Sequence, residues 1–239
     1  MAITISVIGA SGRMGQVALS LIEQNPDLEL HSALGSHNSA AEAIGADLLV
    51  DLTKPEASVE IVDFAIQNNL KILVGTSGWS KEKLDSLRDK MVGKQATVVV
   101  IPNFSIGSVL ATKFAAEASR YFDAIEIIET HHTKKLDAPS GTALFTAQEI
   151  SAARNGRDSK PVTAGNLAPV FNGVPITSLR IEDVHAEQEV LMAGANESLY
   201  FKHVVDSNQV YAQGLLLAMR KSPQLKGLTV GLLSLLEGN

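Results

Sequence analysis

Residues 129–142 read ETHHTKKLDAPSGT and bring two histidines, two lysines, an aspartate and a proline into one short stretch that ends in three small polar residues. Imidazoles exchange protons near neutral pH, and an ammonium group can hold an anion or give a proton to one as it forms. Pro139 biases Ala138 away from helical angles, so residues 133–138 are expected as a loop and Ser140 as the N-cap of a helix starting near Gly141. The first backbone N–H groups of that helix, at Gly141, Thr142 and Ala143, would face the loop with the positive end of the helix dipole behind them. Such an end binds carboxylate or phosphate. With Lys134 or Lys135 as the cation and His131 and His132 as proton-exchanging groups, the stretch reads as an anion pocket equipped for proton transfer. Each piece alone has an ordinary explanation: solvated lysines, a helix cap, histidines at a strand end. Their coincidence at one strand-loop-helix junction favours a site, because catalytic residues collect on loops held by rigid elements.

The elements around this stretch divide into two patterns. Residues 3–8 form a β-branched run that ends in Gly9-Ala10-Ser11-Gly12-Arg13-Met14-Gly15, and an apolar-periodic segment follows at 17–22. A glycine turn between a first strand and a helix lets the backbone approach a pyrophosphate, and the spacing here is GxxGxxG. Residues 28–34, 47–52, 71–74 and 96–101 read as further strands, with helices at 55–69 and 81–91. Small residues Gly75, Thr76, Ser77 and Gly78 close the fourth strand, and Pro102-Asn103-Phe104 closes the fifth. Regular alternation of strand and helix argues for a parallel doubly wound sheet. Beyond about Ser105 the alternation stops. An Ala-rich helix to Tyr121, a strand at 124–130 and a helix at 142–154 precede a long loop at 158–175. Strands at 176–182, 189–193 and 198–205 follow without helices between them, which predicts a mixed or antiparallel sheet. A helix at 209–222 and an apolar ending at 228–236 would return to the first domain.

The expected fold is therefore of the α/β class: a Rossmann-type doubly wound parallel sheet in residues 1–104, completed by 209–239, with a second α+β domain containing a mixed sheet in 105–208. Composition narrows the function. The formal net charge of −6 argues against a nucleic-acid partner, and the anionic ligand must be small. With no cysteine in 239 residues, disulfides, zinc-thiolate sites and thiol nucleophiles are excluded. No metal is assigned. The start MAITISVIGA lacks a basic leader and no apolar run reaches membrane-spanning length, so a cytoplasmic protein without a membrane partner is expected.

The segment HHxxKxDAPSGTA, after an N-terminal GAxGRMG and with GTSG and PNFS between them, resembles the 4-hydroxy-tetrahydrodipicolinate reductase (dihydrodipicolinate reductase) family along essentially the full length. The resemblance implies reduction of a cyclic dicarboxylate imine by NADH or NADPH in lysine and diaminopimelate biosynthesis, by a homotetramer joined through the second domain's sheets. It also implies that His131 is the proton donor and acceptor and Lys135 the proton donor. His132, Lys135, Gly141 and Thr142, with Ser140 at the head of the same helix, match the substrate-binding residues. Gly9, Ala10, Ser11, Gly12, Arg13, Met14, Gly75, Thr76, Ser77, Ile101, Pro102, Asn103 and Phe104 match the cofactor contacts. The chain departs from the family pattern in three places: Lys134 replaces a frequent histidine, Asn208 a frequent arginine, and Gly35-Ser36 the acidic residue that commonly follows the second strand. With Ser36, His37, Asn38 and Ser39 in that turn and Arg13 on the glycine loop, NADPH should serve at least as well as NADH. Two other readings share part of the evidence. Another NAD(P)-dependent imine or amino-acid dehydrogenase would share the glycine turn but not the HHxxKxDAPSGT segment. A non-catalytic NAD(P) sensor would need a target-binding element, and none is evident.

Overall fold

The computed structural model describes residues 2–163 and 168–238, which form two compact units. The first comprises residues 2–106 and 211–238, the second the described residues between 107 and 210.

The first unit is built on a six-stranded sheet: β1 (Ile3–Ile8), β2 (Leu28–Leu34), β3 (Leu48–Asp51), β4 (Lys71–Val74), β5 (Thr97–Val100) and β11 (Gly227–Val230). All its pairings are parallel, in the order β11-β5-β4-β3-β1-β2. Every residue of β3 and β5 is buried, which is why the runs LLVD and TVVV show no alternation. Helices α1 (Arg13–Gln24), α2 (Pro55–Gln67), α3 (Lys81–Lys90), α6 (Ala212–Lys221) and α7 (Leu232–Glu237) complete it. Because β2 and β3 flank β1 on opposite sides, the strand order reverses at β1, and the carboxyl ends of β1 and β3 open the crevice where such sheets bind ligands. Two features differ from expectation. Residues Ala40–Ala43 form a 3-10 turn capped by Ser39 and Glu42, and the apolar ending splits into the sixth strand, β11, and a short helix.

The second unit carries a five-stranded mixed sheet of β6 (Ala124–His131), β7 (Val170–Phe171), β8 (Val174–Arg180), β9 (Ala186–Ala193) and β10 (Ser198–Val205). Its order is β10-β9-β6-β8-β7, with β6 and β8 parallel and the other pairs antiparallel. Helices α4 (Ile106–Ala118) and α5 (Gly141–Ala153) cover one face, where Ala115, Ala147 and Ile150 pack on Ile125, Ile127, Val190 and Met192. The loop expected at 158–175 contains the short strand β7, while its residues 164–167 lie outside the described residues. Asn172 and Gly173, at φ 47° and 73°, turn β7 into β8, the Asn-Gly hairpin signature that the sequence carried. Strand β9 begins at Ala186 rather than 189, because Ala186, Glu187 and Gln188 pair with His131, Thr130 and Glu129.

Arg154, the C-cap of α5, is 5% exposed, and among the described residues no carboxylate accepts a hydrogen bond from it. Its guanidinium donates to the backbone carbonyls of Ser119 (2.6 Å), Phe122, Arg157 (3.1 Å) and Asp158 (3.1 Å). One side chain thus ties the ends of α4 and α5 to the start of β6. Removing it strands the buried Ser119 carbonyl and leaves three part-buried acceptors to partial hydration, and an unsatisfied buried acceptor costs about 1–3 kcal/mol. Arg154→Leu is expected to lower stability by about 3 kcal/mol and the melting temperature by roughly 6–12 °C, read by thermal denaturation.

Candidate active site

His131 ends β6 and Glu129 stands two residues before it, so both side chains leave the same face of the sheet. The parallel neighbour β8 sets Ser178 beside Glu129 and Arg180 beside His131 on that face. Glu129 is completely buried, at 0% exposure. Arg180 grips it as a fork: Nη1 lies 3.0 and 3.2 Å from the two carboxylate oxygens and Nη2 lies 3.1 Å from the first. His131 Nδ1 hydrogen-bonds to the second oxygen, Oε2. Burial works to raise the Glu129 carboxyl, but the hydrogen bonds from Ser178, His131 and Arg180 outweigh it and hold the group below the usual carboxylate range.

Glu129 is therefore ionised at neutral pH, and an ionised carboxylate can only accept hydrogen bonds. Nδ1 of His131 must then carry the proton and Nε2 the lone pair. Burial, followed by the positive charges of Lys135 and Arg180, pushes the His131 pKa below its ordinary value against the opposing pull of Glu129. The resting imidazole is neutral, with Nε2 as an acceptor.

The loop after β6 is shaped by its own backbone and by Arg180. Lys135 N–H donates to His132 O at 3.1 Å, and Ile181 N–H donates to His131 O at 2.9 Å. Arg180 Nε donates to Lys135 O at 3.3 Å and Nη2 to Asp137 O at 2.6 Å. Lys135 Nζ lies 2.7 and 2.8 Å from the two Asp137 oxygens, and the ammonium holds that carboxyl below its usual range. The Ala138-Pro139 bond is cis. Lys134 and His132 are exposed, whereas Lys135 is half-buried and close enough to His131 to shift its titration. At the head of α5, buried Ser140 accepts from Ala143 N–H at 3.2 Å, so its hydroxyl oxygen caps the helix. Gly141 is exposed, with no atom within 4 Å of where a Cβ would stand, and Thr142 is half-buried. The stretch that looked chemical in sequence thus brings Lys135 near His131 and leads into the first turn of α5. Sequence reasoning missed Glu129, Ser178 and Arg180. Glu129 had a signal, an acid two residues before a strand-end histidine, while Arg180 comes from a distant strand that only the β6–β8 register brings in.

In the first unit the expected cofactor residues cluster at the carboxyl ends of β1, β4 and β5. Gly9 sits at φ 85°, and a Cβ there would lie 2.8 Å from Leu52 O; one on Gly15 would lie 2.2 Å from Gly9 O. Only glycine lets this turn close onto the start of α1. Ser11, Gly12 and Arg13 are exposed at the head of α1, whose N-cap Gly12 offers no side-chain cap, while Ala10 is buried and Met14 half-buried. A Cβ on Gly75 would lie 2.6 Å from Leu52 Cδ2 and 2.7 Å from Phe104 Cε2. Thr76 is buried and donates to Thr53 O at 3.1 Å; Ser77 is exposed. Ile101 and Phe104 are core residues, Pro102 is exposed, and Asn103 Oδ1 accepts from Ser105 N–H at 2.9 Å. Beneath them Asp51, also 0% exposed, accepts from Thr53 N–H (3.0 Å), Thr53 Oγ1 (2.6 Å) and Ser58 Oγ, which fixes the loop after β3. A glycine cradle below an uncapped helix N-terminus fits the pyrophosphate of a dinucleotide. In the turn after β2, Asn38 Oδ1 accepts from Gly35 N–H at 3.0 Å, Asn38 Nδ2 lies 3.2 Å from Glu42, and Ser39 N–H donates to Glu42 at 2.9 Å. Ser36 and His37 remain exposed there.

Both halves of the chain match family models: residues 3–104 the N-terminal and 107–236 the C-terminal region of dihydrodipicolinate reductase. The 4-hydroxy-tetrahydrodipicolinate reductase of Clavibacter michiganensis is 41% identical, over 99% of this chain and 87% of its own length. That of Streptomyces griseus is 40% identical over 98% of both chains. Among solved structures, a dipicolinate-bound dihydrodipicolinate reductase from Paenisporosarcina sp. TG-14 superposes with a TM-score of 0.84 at 30% identity, covering 97% of this chain and 98% of that one. A myo-inositol dehydrogenase from Corynebacterium glutamicum, at 14% identity and a TM-score of 0.62, shares the fold. Full-length identity at this level, together with family-model matches in both halves, places the chain in the dihydrodipicolinate reductase family.

Proposed function

We propose that His131 and Lys135 handle the protons in the reaction of this family, the NAD(P)H-dependent reduction of the cyclic dicarboxylate imine derived from 4-hydroxy-tetrahydrodipicolinate to tetrahydrodipicolinate. The reaction serves lysine and diaminopimelate biosynthesis. The observation that carries this reading is the Glu129–His131 pair, which leaves Nε2 of a neutral imidazole free to accept a proton close to the Lys135 ammonium. When bound, the nicotinamide supplies a hydride to the conjugated imine. Lys135 stabilises the negative charge that develops on the substrate and donates the proton that quenches it. His131, with Nε2 as the acceptor, takes a proton from solvent and passes it on to restore the Lys135 ammonium. Gly141 and Thr142 offer backbone N–H groups at the positive end of α5 to the substrate carboxylates, with His132 and Lys135 as additional donors. Ser140 contributes by capping the helix. Gly9 to Met14 hold the pyrophosphate, and Gly75 to Ser77 with Ile101 to Phe104 line the nicotinamide side.

The assembly we read is a homotetramer. Its support is the face of the second sheet opposite α4 and α5, where Tyr200, Val204 and Leu179 are 56%, 45% and 40% exposed. The setting we read is cytoplasmic. Among the described residues no helix is long and apolar enough to cross a membrane, and the chain has no cysteine.

The direct test mixes the protein with NADPH and the freshly generated condensation product of pyruvate and aspartate semialdehyde. Nicotinamide absorbance should fall only when that product is present. In this assay Lys135→Ala should abolish turnover while leaving NAD(P)H binding intact, and Lys134→Ala should have a much smaller effect. Full activity in Lys135→Ala would remove the lysine from the mechanism.

His131→Gln should lower kcat by roughly two to four orders of magnitude, whereas His132→Gln should act mainly on KM. Because the His131 pKa lies below its ordinary value and the neutral form is the working one, wild-type kcat/KM should fall with decreasing pH only below the usual histidine range. That acidic limb should be missing from the residual activity of His131→Gln.

For the cofactor, we read NADPH as used at least as well as NADH. Ser36 and His37 are open to a 2′-phosphate, but the Glu42 carboxylate in the same turn keeps the preference modest. A Cβ on Gly35 would meet only Asn38 Oδ1, at 3.9 Å, so Gly35→Asp adds charge without a clash. The substitution should shift the ratio of kcat/KM values toward NADH; an unmoved ratio, or a wild type that strongly prefers NADH, refutes the reading.

A further inference from the structure

Arg180 makes more contacts than an ion-pair partner needs. Its two terminal nitrogens hold the buried carboxylate of Glu129, and two of its nitrogens also donate to the carbonyls of Lys135 and Asp137, on either side of Leu136. A third carbonyl, its neighbour Leu179 O, lies 2.6 Å from Nη1 and fixes the side chain to its own strand. The carboxylate it grips is the one that orients His131, and the carbonyls it grips belong to the segment that carries Lys135 and the carboxylate bonded to it.

We propose that Arg180 is a positioning residue that couples the two proton-handling side chains: one guanidinium sets the carboxylate that orients His131 and, through backbone carbonyls, the placement of Lys135. The proposal rests on the reading of His131 and Lys135 given above. Geometry makes the coupling specific to arginine. A planar guanidinium presents five N–H donors in a fixed fork, so it can serve a carboxylate and two carbonyls at once. An ammonium is a point donor with three rotatable hydrogens, and it cannot span the same set.

Charge and shape can be separated, because they act on different observables. The charged groups that face His131 are Glu129 from its own strand, Lys135 from the loop with Asp137 behind it, and Arg180 from β8. On β9 the residues paired with His131 and Glu129 are Ala186 and Gln188, which are uncharged. The cation at position 180 helps keep the imidazole unprotonated. Losing the cation raises the pH at which His131 takes a proton; losing only the fork leaves that pH in place while loosening the lysine and the imidazole.

The test compares Arg180→Lys and Arg180→Met with wild type in the reductase assay. It reads kcat, KM for the imine substrate, NADPH affinity, the pH profile of kcat/KM and the melting temperature. Displacement of catalytic groups by about 1 Å costs on the order of 100-fold in rate. Arg180→Lys should therefore lose roughly that factor in kcat, with KM within a few-fold of wild type, NADPH affinity unchanged and the acidic limb at its wild-type pH. Arg180→Met should lose at least as much and move the limb to higher pH. If Arg180→Met does not fold, Arg180→Lys alone decides. The proposal is overturned by an Arg180→Lys enzyme that keeps kcat within about threefold, raises KM alone, weakens NADPH binding, or shifts the limb. A residue that merely held the unit together would lower the melting temperature and raise KM without separating limb from rate. His131→Gln and Lys135→Ala are measured alongside. If those two retain full kcat, the reading of the site fails whatever Arg180 does; if they lose it and Arg180→Lys does not, only this proposal fails.

Discussion

A carboxylate shut away from water must be given donors or it will not stay ionised, and Glu129 sets that requirement for the second unit. Its position inside β6 dictates much of what surrounds it. The next residue on the same face, His131, is drawn in through Nδ1, and the parallel neighbour supplies Ser178 and Arg180. Because the carboxylate can only accept, the imidazole has one permitted tautomer, and because the guanidinium has donors left over, the following loop is held as well. A cost in desolvation thereby becomes an arrangement in which proton acceptor and ammonium have defined places. The same burial that makes Glu129 demanding keeps His131 neutral.

The first unit solves its own problem with space rather than charge. Asp51 is equally buried, yet it is satisfied by a backbone N–H and two hydroxyls within its own loop and helix, and it orders the turn after β3 without a cation. The glycines then do the rest. Gly9 and Gly15 are excluded from carrying a side chain by backbone atoms, and Gly75 by the side chains of Leu52 and Phe104, so the carboxyl end of the sheet stays low and the head of α1 stays bare. An anion can approach such a surface closely. One unit thus shapes its surface by leaving atoms out, the other by placing donors.

How much of this could be read from the chain depended on sequence distance. The parallel sheet was legible because buried strands such as TVVV and LLVD have an unmistakable composition, and the glycine turn because its residues are contiguous. The segment from His131 to Thr142 was legible for the same reason: the histidines, the lysines, Pro139 and Ser140 lie within a dozen consecutive residues. Arg180 was not, since its importance comes from a parallel register with β6 that no local pattern announces. The start of β9 was hidden by its polar residues, Glu187 and Gln188, which pair with the site end of β6. Strand β7 was lost inside a long loop although Asn172-Gly173 marked its turn. β11 was merged with α7 because both are apolar and short.

The place of β11 in the chain has a consequence for how the protein is made. Its partner β5 is complete at Val100, but the strand that covers the outer edge of β5 arrives only at Gly227–Val230. During synthesis on the ribosome, residues 107–210 therefore emerge and can fold as a unit while TVVV remains an uncovered, apolar sheet edge. Chains emerge at about 5–20 residues per second, so that edge stands open for roughly 6–25 s before β11 is available. Unpaired apolar edges recruit other strands, including those of neighbouring nascent chains. The nucleotide-binding unit, although it begins first, closes last, and a chain cut short before β11 would leave the ribosome with the apolar edge of β5 unpaired.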